Sequence, residues 1–404
     1  MALSRRAFLA LSSTALVVPA GGLFAAPAEA ATMTVGARTT LVPQVSPYEN
    51  TWVAARPGGG FILGACHFAN GPQLRYFAGS GAPIDPPMPM PYVRAPNPVA
   101  FANGTAMAVF DGENDSVFAQ KFDAARQKLD LPIRVDIATT FDYLYDARAV
   151  KLANGNVLCA WRHEIAGGAS QLRVRVITPA GTPVSAETII VSGGVINVLL
   201  VIALKAGGAV ISYGYHDASW NRSERLALVN NLGARAGAVK VLRTNVDTTS
   251  ESAGLAPLPA GGFVAVWQQE YPAYSRNGRL KGMMFSATMA TQKTFYKALK
   301  TGQYQEDDVR VAVNSGGRMM VVHSAQTAAS TATQRRAFSA AVVLFDLTGK
   351  ALAGPTLMDS GRYYGPYKRT VSALSDKSFY VTWMKSPTGV SNEVSLVGRR
   401  ITVT

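Results

Sequence analysis

Residues 153–163 read ANGNVLCAWRH, an Asn-Gly turn followed by an apolar strand, and the same construction stands at 102–111 as ANGTAMAVFD. It recurs as PGGGFILGACH, AGGAVISYGYH, AGGFVAVWQQE, SGGRMMVVH and SDKSFYVTWMK. With Gly60, Gly104, Gly155, Gly208, Gly262, Gly317 and Lys377 as markers, successive steps run from 44 to 60 residues. A period near fifty is that of a propeller blade. Asn-Gly and Gly-Gly supply the positive φ of tight two-residue turns, so each marker predicts a hairpin with a strand on both sides.

Working outward, each unit resolves into four strands. In the third these are ARAVKLA, NVLCAWR, LRVRVITPA and AETIIVS. Four antiparallel strands per unit, seven times, predict an all-β seven-bladed propeller over residues 31–404. The seventh unit stops one strand short, while TMTVGARTTLV (32–42) precedes the first unit unassigned. The two deficits cancel if the N-terminal strand completes the last blade.

The units lack the Trp-Asp of WD repeats, the Gly-Gly placement of kelch repeats and the S-x-D-x-G-x-T-W box of sialidases. They resemble bacterial exported repeats of the form GGFVVxW, followed by a strand ending Phe-Asp and a Gly turn, here AGGFVAVWQQE, SVFAQKFDAARQKLD and VVLFDLTGKALAGP. That resemblance implies a propeller and no particular activity.

The first thirty residues have a basic start, MALSRR, an apolar run and Ala28-Glu29-Ala30. This predicts a cleaved signal peptide, and SRRAFLA looks like a twin-arginine signal, which sends the protein to the periplasm or beyond. Removing Arg5, Arg6 and Glu29 takes the net charge from +14 only to +13, so the basicity belongs to the folded part. The most apolar later run, the ten residues from Val195 to Leu204, is too short for a helical span and predicts a doubly buried strand. A basic exported propeller calls for an anionic partner, an acidic polysaccharide or envelope component; export argues against nucleic acid. A monomer is expected.

Counted forward from the markers, His67, His163, His216 and His323 fall six to eight residues on, with Asp111 and Glu270 at the corresponding places. They predict a ring of titratable groups on one face. Zinc ligands bond at about 2.0–2.1 Å while packed sheets lie about 10 Å apart, so no shared metal is expected, and no cofactor motif occurs. Asp111, Glu113 and Asp115 alternate as in a calcium loop, but Ser116 and Phe122 stand where glycine and glutamate belong. Glu306-Asp307-Asp308 reads as a charged loop.

Trp161-Arg162-His163 and Tyr215-His216 are the richest strand ends, with Asp146, Arg148 and Asn197 at nearby inner-strand entrances and Trp220, Tyr367 and Arg369 as further ligand contacts. Seven-bladed polysaccharide lyases are similar in architecture; that resemblance implies His163, His216, Tyr215 and Arg162 as acid, base and anion-holding groups. Two readings follow: non-catalytic binding of an anionic glycan, or a lyase or glycoside hydrolase acting on one. Trp161, Trp267 and Trp383 read as blade-to-blade core, Trp52 as a ligand contact. Cys66 and Cys159, a blade apart, are too distant for a bridge and predict two buried free thiols.

Overall fold

The structure, a computed structural model, describes residues 31–46, 49–90, 94–112, 115–137, 143–165, 169–244, 252–270, 278–299, 309–328, 337–359, 368–386 and 394–404. The expected signal segment lies outside them. Every regular element described is a β-strand, and the strands form seven antiparallel sheets. The chain is a seven-bladed propeller. Blade 3 shows the pattern: Tyr143–Lys151 innermost, then Val157–Glu164, Ser170–Ile177 and Thr188–Ser192 at the rim.

The last blade closes as the strand deficit requires. Arg369–Ser375, Ser378–Lys385 and Ser395–Val403 come from the C-terminus, and the N-terminal segment pairs along their outer edge. It does so in two pieces, Met33–Val35 opposite Ile401–Val403 and Thr39–Val42 opposite Leu396–Gly398. Leu41 and Val42 are buried, so the N-terminal strand contributes core as well as edge pairing.

The hairpin of blade 7 has the expected two-residue turn, Ser375 pairing with Ser378, whereas those of blades 1 to 6 do not. Phe101 N–H donates to Thr105 O and Gly104 N–H to Phe101 O, a three-residue loop with Gly104 at φ 85°; Leu152, Gly155 and Asn156 repeat it. The asparagine explains the choice: Asn103 Oδ1 accepts the Thr105 N–H, completing a turn whose last residue must be left-handed.

The core lies in the seams between blades. Residues alternate across each strand, so each sheet packs one face on the preceding blade and one on the next. Val109 and Val117 of blade 2 meet Cys159 and Trp161 of blade 3; Val210 of blade 4 meets Phe263 and Trp267 of blade 5. Trp161, Trp267 and Trp383 are buried in these seams, as their periodicity requires. Close approach of blades 1 and 2 depends on Gly64, where a Cβ would lie 1.8 Å from Pro96 O. Neither thiol is bridged: Cys159 is buried and burial pushes it up to about 12, whereas Cys66 is only half-buried. The strand Val195–Ala203 is also less buried than its composition suggests, because Leu200 and Val201 line the central channel. Among the described residues no helix is long and apolar enough to cross a membrane.

Candidate functional site at the mouth of the central channel

The seven innermost strands stand in a common register. Trp52, Asn97, Arg148, Leu200, Gly254, Arg310 and Thr370 pair with Gly64, Val109, Ala160, Ser212, Val266, Val322 and Thr382, each at the same rung of its blade. All of the former but Gly254, together with deeper apolar residues such as Val150 and Val311, line a cavity of about 390 Å³. Two arginines, an asparagine, a threonine and a tryptophan thus ring the mouth above apolar walls. This is the usual plan of a ligand pocket, a few polar groups on an apolar wall.

Arg148 dominates the mouth. Its guanidinium lies 4.2 Å over the Trp52 ring, reaching from blade 3 past blade 2 to blade 1. Nη1 donates to Ala147 O at 3.0 Å and Nη2 stands 3.7 Å from Asp146 Oδ1. Nε has no hydrogen-bond partner among the described residues. Burial lowers its pKa from the ordinary arginine value, opposed by Asp146 and Asp111. Such desolvation strengthens any charge it meets.

A bulge aims this side chain. Register shifts between Tyr145 and Arg148, and Asp146 takes φ 59°, unusual for a residue with a side chain. The bulge is held from blade 2: Asp111 accepts the N–H groups of Asp146 at 3.1 Å and Ala147 at 2.8 Å. Burial, then the neighbouring Asp146 charge, pushes Asp111 up to about 6, against the backbone donors and Arg148 and Arg94. Arg94 stands 3.8 Å from Asp111 and 3.5 Å from Asp146. Glu49 joins them: burial raises its pKa, while Arg94, Lys368 and Arg148 pull it down. Three carboxylates and several cations share one mouth.

Of the residues singled out in the sequence, Arg148 and Asp146 come together here. Arg162 and Asn197 meet in the seam between blades 3 and 4: Arg162 donates to Asn197 Oδ1 at 2.7 Å and Glu164 Oε2 at 2.8 Å, under the Tyr145 ring at 4.8 Å. Tyr215 faces the same seam, its ring 3.7 Å from the Arg225 guanidinium. His163 and His216 are not brought together. His163 shares the sheet face of Cys159 and Trp161, toward blade 2; His216 shares the face of Val210, toward blade 5. Trp220 is exposed on a turn beside His216, ring centroids 5.9 Å apart. Arg369 is buried and donates to Ser324 Oγ. Tyr367, Glu113 and the Glu306–Asp308 run lie outside the described residues.

The expected single ring of histidines and carboxylates does not form. Beyond the rung of Arg148, His323 lies one residue on, Asp111 two, His67 and His163 three, and His216 and Glu270 four. One residue of difference turns a strand side chain to the opposite face, so near-equal spacing scatters them between seams. Glu49, Arg94, Asn97, Arg310 and Thr370 were missed. Counting backward would have found most of the mouth: Asn97, Arg148, Arg310 and Thr370 each stand seven residues before their marker. Among the described residues no group of three or more His, Cys, Asp or Glu side chains is arranged to hold a metal.

No protein-family model matches the chain, nor does any curated protein sequence. Solved structures do. A puromycin-hydrolyzing peptidase of Mycobacterium tuberculosis is similar at 10% identity over 90% of this chain and 56% of that one, with a TM-score of 0.50. An α-L-arabinanase of Penicillium chrysogenum, complexed with arabinobiose, is similar at 14% identity over 90% and 98%, TM-score 0.48. An α-L-arabinofuranosidase of Fusarium graminearum gives 12% over 76% and 91%, TM-score 0.47. At these identities the likeness is one of fold.

Proposed function

We propose that the protein acts on an acidic glycan at the mouth of its central channel, as a glycoside hydrolase. The observation that carries this reading is the carboxylate cluster: Glu49 and Asp111 are both pushed up, beside Asp146 and among guanidinium groups, over a cavity of about 390 Å³. Glycoside hydrolysis needs one carboxyl group that keeps its proton and a second that stays ionised, which environment must separate. Asp111 has both oxygens committed to the bulge, so it positions the others. Glu49 is the proton donor in this reading and Asp146 the second carboxyl group. Arg148 and Arg94 meet the glycan's own carboxylate, Trp52 and Asn97 its ring and hydroxyls. The basic, apolar first thirty residues support action in the periplasm or outside the cell.

Purified protein incubated with uronate-containing polysaccharides should release reducing ends, and Glu49→Gln and Asp146→Asn should abolish release while leaving binding in place. Absence of reducing ends across the panel would overturn the hydrolytic assignment. A second reading, recognition without cleavage, is favoured by the seating of Arg148 on Trp52, which fixes an anion-binding group without any catalytic one. Binding that persists with no product, and is lost in Arg148→Met, would select it.

A further inference from the structure

The excess positive charge of the chain has a second concentration far from the channel. The outer strands of blade 5, Gly278–Phe285 and Thr291–Ala298, carry Arg279, Lys281, Lys293 and Lys297 and no carboxylate. In blades 2, 3 and 4 the corresponding part of the rim holds one cation each against a carboxylate: Lys121 with Asp130, Arg173 with Glu187, and Arg243 with Glu224. Lys281, Lys293 and Lys297 form no ion pair among the described residues. In their midst Tyr296 is 50% exposed, with the Arg279 guanidinium 4.5 Å and the Lys281 ammonium 5.9 Å from its ring. The outermost strand is exposed at six of its eight positions, so it presents an unpartnered edge with charge on both faces.

Clustering like charges costs energy that an ordinary solvated rim avoids by interspersing signs; at Lys293 the Asp346 carboxylate of blade 6 offsets part of that cost. An aromatic ring held between two cations offers a flat surface to a sugar ring and a positive flank to its acid group. Lys293 and Lys297 stand on one face of the sheet and Arg279, Lys281 and Tyr296 on the other, so cations flank the outer edge on both sides.

We propose that the outer edge of blade 5 is a second binding surface, for a linear acidic polysaccharide running along Thr291–Ala298. One exposed ring does not make the stacked platform that single-stranded nucleic acid uses, and the patch has no apolar wedge for a bilayer. The surface is independent of the hydrolytic reading.

The test is binding of fluorescent polygalacturonate to the full protein across a salt series. The double variant Lys281→Glu, Lys297→Glu should weaken binding about tenfold at low salt, with the difference shrinking as salt screens it. Tyr296→Ser should weaken it at all salt concentrations. Arg148→Met, which disables the mouth, should leave the charge-reversal effect intact. Binding that charge reversal leaves unchanged would overturn the proposal, as would tighter charge-dependent capture of single-stranded DNA or anionic vesicles by this edge. Melting curves equal to wild type confirm that the variants are folded.

Discussion

The guanidinium of Arg148 rests on the indole of Trp52, 4.2 Å from its centroid, although the two residues belong to blades 1 and 3. The contact spans the channel mouth over Asn97 and ties together strands that share no hydrogen bonds. A desolvated cation–π contact contributes about 2 kcal/mol. Trp52→Ala should therefore lower stability by about that amount in denaturant melts. It should also weaken glycan binding by more than Arg148→Lys does, since lysine keeps a charge over the ring but loses the planar stack.

Asp111 supplies the other constraint on Arg148. Replacing it by alanine leaves the buried N–H groups of Asp146 and Ala147 without their acceptor, at a cost of about 1–3 kcal/mol. The bulge should then relax. We expect Asp111→Ala to reduce binding at the mouth while leaving the blade 5 edge unaffected, which a charge-reversal comparison in polygalacturonate binding would read directly.

His323 should make the fold acid-sensitive. Burial, against its hydrogen bond to Ser324 O, holds it down to about 4, below its ordinary value of 6.5. The unfolded chain therefore binds a proton that the folded one refuses. This contribution to stability is fully present above about pH 6.5 and is lost as pH falls toward 4, to the order of 3 kcal/mol. Asp111, raised to about 6, gives the opposite slope across roughly pH 4–6. His323→Gln should flatten the acid-side loss in a series of thermal melts against pH; an unchanged slope would assign it elsewhere.

Shortening the chain to begin at Pro43 removes the outer strand of blade 7 and the buried side chains of Leu41 and Val42. It also exposes the edge of Ser395–Val403, a template for association. We expect a loss of more than about 5 kcal/mol, with aggregation visible by size-exclusion chromatography. A peptide of residues 31–42 added in trans should restore part of it.

The blades were legible because five of the seven turn markers, Gly60, Gly104, Gly155, Gly208 and Gly317, take a left-handed φ, and Gly104 or Gly155 cannot be disguised by packing. Closure was legible because strands must pair, and a missing strand at Thr404 demanded one near Thr32. The site was less so. The aim of Arg148 depends on a bulge held by Asp111, a carboxylate one blade earlier whose spacing reads as a loop acid. His163 and His216 look alike from their markers, yet one rung of register sends them to different seams. Glu49 and Arg94 precede inner strands in connecting segments, where no period announces them. Periodicity reveals what repeats, and a functional site in a propeller is built where the repeats differ.

Thr32 and Thr404 exchange backbone hydrogen bonds, 3.1 Å from Thr32 N to Thr404 O and 3.2 Å from Thr404 N to Thr32 O. The ring therefore has a seam but no intrinsic beginning. A short glycine link across that seam, with the chain reopened at the turn between Asn103 and Gly104, gives a circular permutant with the same ladder in every blade. In such a protein the closure that now draws on both ends of the chain becomes local, and the assembly order of the ring turns into a variable that can be set by choosing where to cut.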